Sequence, residues 1–110
     1  MNFEVTASDH FIKNLKRLVK KYASLKDEIA ELANNLTKDP SQGTPLGKSC
    51  FKIRLSIKSK GRGKSGGARV ITCVFALKHT VVLLSIYDKA EKENIKDHEL
   101  EELIRNVDAD

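Results

Sequence analysis

An α+β fold, with elements in the order β-α-α-β-β-β-α, is predicted by three features of the chain. Two segments near the N-terminus repeat apolar residues at helical spacing. Three later segments alternate, or run apolar, over strand lengths, and a third helical segment closes the chain. At 110 residues the chain reads as a single domain spanning 1–110, with room for one modest core. The expected architecture is a small antiparallel sheet packed against an α-hairpin, with a C-terminal helix.

Phe3 and Val5 alternate with polar residues and read as a short first strand. Ser8 is a good N-cap for a helix whose apolar positions are Phe11, Leu15, Leu18, Val19 and Tyr22. Ser24, with Asp27 three residues on, reads as a variant capping box starting a second helix, with Leu25, Ile29, Leu32, Ala33 and Leu36 as its stripe. So short a break makes the two helices an antiparallel hairpin. Asp39-Pro40 ends it, because the residue before a proline is driven out of the α region. Gly43, Pro45 and Gly47 then mark a turn-rich connection.

Phe51, Ile53, Leu55 and Ile57 alternate with Cys50, Lys52, Arg54 and Ser56, giving a strand with one apolar and one basic face. The stretch 58–67 is rich in glycine and lysine or arginine and reads as a loop. Strands over 68–76 and 80–87 follow, joined by a short turn near Lys78-His79, so they should pair antiparallel. The last helix runs over 97–107, apolar at Leu100, Leu103, Ile104 and Val107.

Charge is segregated along this order. No acidic residue lies between Asp39 and Asp88, whereas Lys48, Lys52, Arg54, Lys58, Lys60, Arg62, Lys64, Arg69 and Lys78 all do. A basic stretch without interspersed carboxylates has little internal pairing and is suited to an external polyanion, most commonly nucleic acid. No segment has the length of a transmembrane helix, and Met1–Thr6 lacks a signal-peptide pattern, so a cytoplasmic protein with no membrane partner is expected. In that reducing compartment Cys50 and Cys73 are buried thiols rather than a disulfide.

Several chemistries find no support. The histidines and cysteines show no zinc-ligand spacing, and the sheet region has no paired carboxylates for magnesium, so no metal or other cofactor is expected. Ser65-Gly66-Gly67 lacks the GxSxG frame, and the loop around Lys64 lacks the GxxxxGK[ST] spacing of a nucleotide site. What remains is Lys52 and Arg54 side by side on one strand face, Arg69 opening the next strand and Lys89 following the last. Such a cluster suits phosphoryl chemistry, because guanidinium groups can hold the non-bridging oxygens of a phosphodiester as charge grows in the transition state. With RNA the nucleophile can be the substrate's own 2′-hydroxyl. A lysine crowded by cations has its charged form disfavoured, which gives Lys52 some base character. Tyr87 is the other proton carrier, or stacking group, near this face.

The segments Gly43–Gly47, Phe51-Lys52-Ile53-Arg54-Leu55, Lys60 to Ile71 with its GKSGGxR core, and Leu83-Leu84-Ser85-Ile86-Tyr87-Asp88-Lys89 resemble the RelE/ParE superfamily of bacterial toxins, most of all its HigB-like, RelE-like branch. The resemblance covers most of the chain and includes the element order. It implies a type II toxin–antitoxin module whose toxin is a ribosome-dependent, metal-independent endoribonuclease, an mRNA interferase that inhibits translation. By motif, the catalytic set would be Lys52, Arg54, Arg69, Tyr87 and Lys89, with Lys48, Lys58, Lys60, Arg62 and Lys64 on ribosomal RNA. The implied partners are a cognate antitoxin, the 70S ribosome and mRNA. The C-terminal tyrosine used by several RelE members has no counterpart, its place falling near Ile95 within Glu93–Lys96. Either Tyr87 substitutes for it or proton transfer falls to the lysines. Two alternatives share these features: a ParE-like inhibitor of DNA gyrase, and a non-catalytic RNA- or DNA-binding module. The first typically lacks the full basic cluster. The second would carry exposed aromatics on its sheet, whereas Phe51 and Phe75 fit the core better.

Overall fold

A computed structural model of the protein describes residues 2–60 and 66–108. Its elements are β1 (Glu4–Ala7), α1 (Asp9–Lys21), α2 (Leu25–Lys38), β2 (Thr44–Gly47), β3 (Cys50–Leu55), β4 (Ala68–Phe75), β5 (Thr80–Asp88) and α3 (Asp97–Asp108). The five strands form one sheet in the order β1-β5-β4-β3-β2. The α+β class and the order of helices stand, with two differences in the sheet.

First, the sheet is mixed. β1 pairs with β5 in parallel, from Glu4 opposite Thr80 to Ala7 opposite Leu83, and every other pair is antiparallel. A short link forces neighbouring strands antiparallel, but β1 and β5 are separated by most of the chain, so no turn constrains their direction. Second, the turn-rich connection contains β2, which hairpins onto β3 through Lys48 and Ser49, both at positive φ (57° and 62°). Two left-handed central residues are the mark of a type I′ turn, usually written Asn-Gly, and neither residue here signals it. Gly43 (φ 102°) allows the approach of this strand, since a Cβ there would lie 2.6 Å from the Lys52 carbonyl oxygen.

The helix starts differ in chemistry. The Ser8 hydroxyl accepts from the Phe11 amide at 3.1 Å, a true N-cap. Ser24 has α-helical backbone angles and makes no such bond, so the capping box with Asp27 does not form. Its hydroxyl instead meets Glu28 and accepts from the Ser59 amide at 2.9 Å, while Glu28 accepts from the Lys58 amide at 2.8 Å. This start of α2 is thereby tied to the turn that follows β3.

The sheet carries apolar residues on both faces. On one face Phe11 and Leu18 of α1 and Leu25, Ile29, Leu32 and Leu36 of α2 pack against Ile53, Val70, Val81, Leu83 and Ile86. On the other face Leu100 and Leu103 of α3 pack with Cys50, Ile71, Cys73, Val82, Leu84 and Tyr87. The basic face of β3 is therefore the face that α3 partly covers. Both cysteines are buried thiols of this second cluster, not joined in a disulfide, directly opposite one another across β3 and β4. Hydrogen bonding between the two thiols, then burial, pushes the Cys50 thiol far above its ordinary range, which keeps it neutral and unreactive. Among the described residues no helix is long and apolar enough to cross a membrane.

Candidate functional site

The antiparallel register places the candidate residues. Arg54 on β3 lies opposite Arg69 on β4, and Arg69 lies opposite Tyr87 on β5. With neighbouring strands about 4.8 Å apart, the three side chains form one row across roughly 10 Å of sheet, all on the α3 face. The adjacent row is Lys52, Ile71 and Ser85. Two arginines directly opposed repel each other, an arrangement that stability alone disfavours.

These residues differ in exposure. Arg54 is exposed and Lys52 half-buried, with its Nζ donating to Asn94 Oδ1 at 3.3 Å. Arg69 is only 4% exposed, and its Nη1 donates to the Ala68 carbonyl at 3.1 Å. Tyr87 is 6% exposed, and its hydroxyl makes no hydrogen bond of normal geometry among the described residues, the Ile95 backbone approaching it too poorly to satisfy it. Burial raises the Tyr87 phenol above its ordinary value; the Arg69 guanidinium opposes this, Glu99 adds to it, and the nearby Ile95 backbone opposes it weakly. The ring is roofed by Lys92, whose Nζ sits 5.5 Å from the ring centre and also pairs with Glu99. Glu99 is held below its ordinary value, first by Lys92 and then by the Lys96 amide, from which it accepts at 3.1 Å.

The segment 89–96 thus closes one end of the row. Lys89 Nζ is 3.6 Å from the Glu93 carboxylate, and the Lys89 amide donates to the Gly67 carbonyl at 3.0 Å. The preceding residue, Asp88, is fully buried on the opposite side, accepting from the Tyr22 hydroxyl at 2.6 Å and the Ala90 amide at 2.9 Å. That anchor fixes the end of β5 and with it the stations of Tyr87 and Lys89. Gly67 is set by space: a Cβ there would stand 2.0 Å from the Leu55 carbonyl oxygen. The glycine before Ala68-Arg69 lets β4 start against the end of β3, which brings Arg69 level with Arg54.

Of the remaining predicted cations, Lys48 sits at the β2–β3 turn and pairs with Glu101 of α3 at 2.7 Å. Lys58 is exposed in the turn after β3 and lines, with Arg54, a cleft beside α2. Arg62 and Lys64 lie outside the described residues, as does the side chain of Lys60. The residues that sequence reasoning missed are Lys92, Asn94 and Glu99. Nothing local marks them, because their roles depend on α3 and its leading loop lying over the basic face. Beside the row, a cleft of about 380 Å³ opens between α1 and α3 over the second half of β5, lined by Asn14, Arg17, Tyr87, Lys92, Glu99 and Glu102 among others. Among the described residues no group of three or more His, Cys, Asp and Glu side chains is placed to hold a metal ion.

Comparison with known proteins agrees with this architecture. The family model described as the RelE toxin of the RelE/RelB toxin–antitoxin system matches residues 9–108. A mutant of the E. coli toxin RelE in the free state superposes with a TM-score of 0.64 at 16% identity, covering 97% of this chain and 99% of that one. The isolated E. coli RelE toxin gives 0.60 at 16% identity, covering 96% and 98%. The RelBE2 toxin–antitoxin complex of Mycobacterium tuberculosis gives 0.61 at 21% identity, covering 82% and 94%. No curated protein sequence matches the chain. With the family match over nearly its whole length and the shared fold, the chain belongs to the RelE toxin family of toxin–antitoxin systems.

Proposed function

We propose that this toxin is a ribosome-dependent endoribonuclease that cuts mRNA through attack of the substrate's 2′-hydroxyl, using a Lys/Arg cluster and no metal. The row Arg54–Arg69–Tyr87 carries the reading: two guanidinium groups and a protonated phenol converge where a phosphodiester could lie. Arg54, being exposed, takes the non-bridging oxygens first, and Arg69 adds positive charge beneath them. Lys52 hydrogen-bonds the attacking sugar, whose 2′-hydroxyl proton leaves to solvent. Tyr87, kept neutral by burial, gives its proton to the 5′-oxygen as the P–O bond breaks. Entry of RNA moves the segment 89–96 aside, exchanging the ties Lys52–Asn94 and Lys89–Glu93 for phosphate contacts. Lys48, Lys58, Lys60, Arg62 and Lys64 would meet ribosomal RNA, which places the protein in the cytoplasm. A cognate antitoxin binds and restrains the toxin; the similar M. tuberculosis structure is named as a toxin–antitoxin complex, which supports the pairing.

The test is primer extension on an mRNA translated in a reconstituted system, with wild type, Arg54→Ala and Arg69→Ala, and free mRNA as control. Each arginine variant should lose about a hundredfold in cleavage, the usual loss of one stabilising donor, while ribosome association remains. Arg54 is exposed, so its removal leaves the fold intact even where Arg69→Ala destabilises it. Equal loss of binding and cutting would reduce the row to a binding surface. Growth arrest without any cuts would move the reading to gyrase inhibition.

A further inference from the structure

The basic residues of α1 take no part in the site described above. Five of its thirteen residues are basic (Lys13, Lys16, Arg17, Lys20 and Lys21), against the single acidic Asp9 in its first turn. Lys13, Lys16 and Lys20 recur at i, i+3 and i+7, so they share one helix face. At 100° per residue this face is opposite Phe11 and Leu18, which are buried against the sheet. All three lysines are exposed, and among the described residues none forms an ion pair. Arg17, at the margin of this face, differs, since both its terminal nitrogens pair with Glu91 at 3.2 Å. Like charges three and four residues apart destabilise an isolated helix; Asp9, four residues before Lys13, is the one carboxylate of α1, and Lys16 and Lys20 have none within the helix to relieve them. The other helices are unlike α1: α3 carries Asp97, Glu99, Glu101, Glu102 and Asp108 against one arginine.

We propose that the Lys13–Lys16–Lys20 stripe is a second polyanion-binding surface, which grips the phosphate backbone of ribosomal RNA. Charge complementarity names the chemistry: three unpaired ammonium groups over about 10 Å of helix suit a row of phosphates. Position selects ribosomal RNA over the cleaved message. The stripe faces outward from the hairpin side of the sheet, whereas Lys52, Arg54 and Tyr87 lie on the α3 side. One extended strand cannot lie on both surfaces without wrapping round the sheet edge. A protein with a basic row on one side of its sheet and a lysine stripe on the other is suited to a crevice walled by structured RNA. The inference rests on the ribosome reading above.

The test is lysine acetylation mapped by mass spectrometry, with and without vacant 70S ribosomes lacking mRNA, together with the salt dependence of ribosome binding. Vacant ribosomes should protect Lys13, Lys16 and Lys20 while leaving Lys26 and Lys38 on α2 reactive. The triple variant Lys13→Gln/Lys16→Gln/Lys20→Gln should flatten the slope of log affinity against log salt by roughly 2 to 3 units, at ~0.7–0.9 per phosphate contact. The control Lys26→Gln/Lys38→Gln should leave the slope in place. Ribosome binding with the three lysines fully reactive and the slope unchanged would overturn the stripe and spare the proposed function. Protection only when mRNA is present would assign the stripe to the message and overturn the ribosomal RNA assignment. No ribosome binding by the wild type would overturn both.

Discussion

The Tyr87→Phe substitution separates a catalytic tyrosine from a packing tyrosine, because the two roles predict opposite balances of stability and activity. The ring is packed in the α3-side core, and the substitution leaves that packing in place. What it removes is a buried hydroxyl that makes no hydrogen bond of normal geometry among the described residues, with only a poor approach from the Ile95 backbone. Leaving such a group unsatisfied costs about 1–3 kcal/mol. Recovering the lower part of that range should raise the melting temperature by about 4 °C for a chain of this length. The same change should lower ribosome-dependent cleavage by about a hundredfold or more, the usual contribution of a positioned proton donor. The pH dependence supplies a second signature. Burial raises the folded-state phenol above its ordinary 10.0, so the neutral form is favoured in the native protein. The associated stability is fully present below about pH 10 and is lost as pH rises through the higher folded value. Wild type should therefore lose stability more steeply than Tyr87→Phe in the alkaline range. Thermal melts by circular dichroism at pH 7 and above pH 10, beside primer-extension cleavage, measure all three effects. A variant that melts lower than wild type and cuts at the wild-type rate would refute the reasoning, showing a tyrosine whose hydroxyl is bonded and whose role is packing.

Two further outcomes follow from the geometry around the row. Gly67→Ala should cost roughly 1–3 kcal/mol, because the added methyl meets Leu55 and Ser56 backbone atoms, which cannot rotate away. Gly47→Ala, with no atom within 4 Å but φ at 88°, should cost only the left-handed strain of about 1 kcal/mol, and equal melting temperatures for the two would defeat the steric account. Acid should loosen α3 ahead of the sheet. Glu99 is held below its ordinary 4.5 by Lys92 and the Lys96 amide, so its contribution is present above that value and lost as pH falls through the lower folded one. Hydrogen exchange read across this acid range should show Leu100–Val107 amides losing protection before those of β4, and Glu99→Gln should already be loosened at neutral pH. Simultaneous loss in both elements would count against it.

The legible part of the fold was local. Ser8 announced the start of α1, and the helical stripes of Phe11, Leu18, Leu25 and Leu36 marked the residues that became the hairpin-side core. The alternation of β3 put Lys52 and Arg54 on one face, and period-two geometry kept them there. β2 was not legible, because Lys48 and Ser49 adopt left-handed angles without a left-handed signature. Ser24 misled for the opposite reason: it has the composition of a cap, yet tertiary contacts with Ser59 and Glu28 claim its hydroxyl.

For the candidate site the division is similar. The residue types, their separation into an acid-free stretch and the resemblance to RelE-like toxins were available from the sequence, since these depend only on composition and spacing. Which of them meet was decided by pairing register, a relation between distant segments that no local pattern encodes. Register set Arg54, Arg69 and Tyr87 in one row, and the docking of α3 buried Tyr87 beneath Lys92. The pattern of side chains along each strand belongs to the sequence; the burial, proton affinity and neighbours of each charge belong to the tertiary structure, because they depend on which distant segment lies above it.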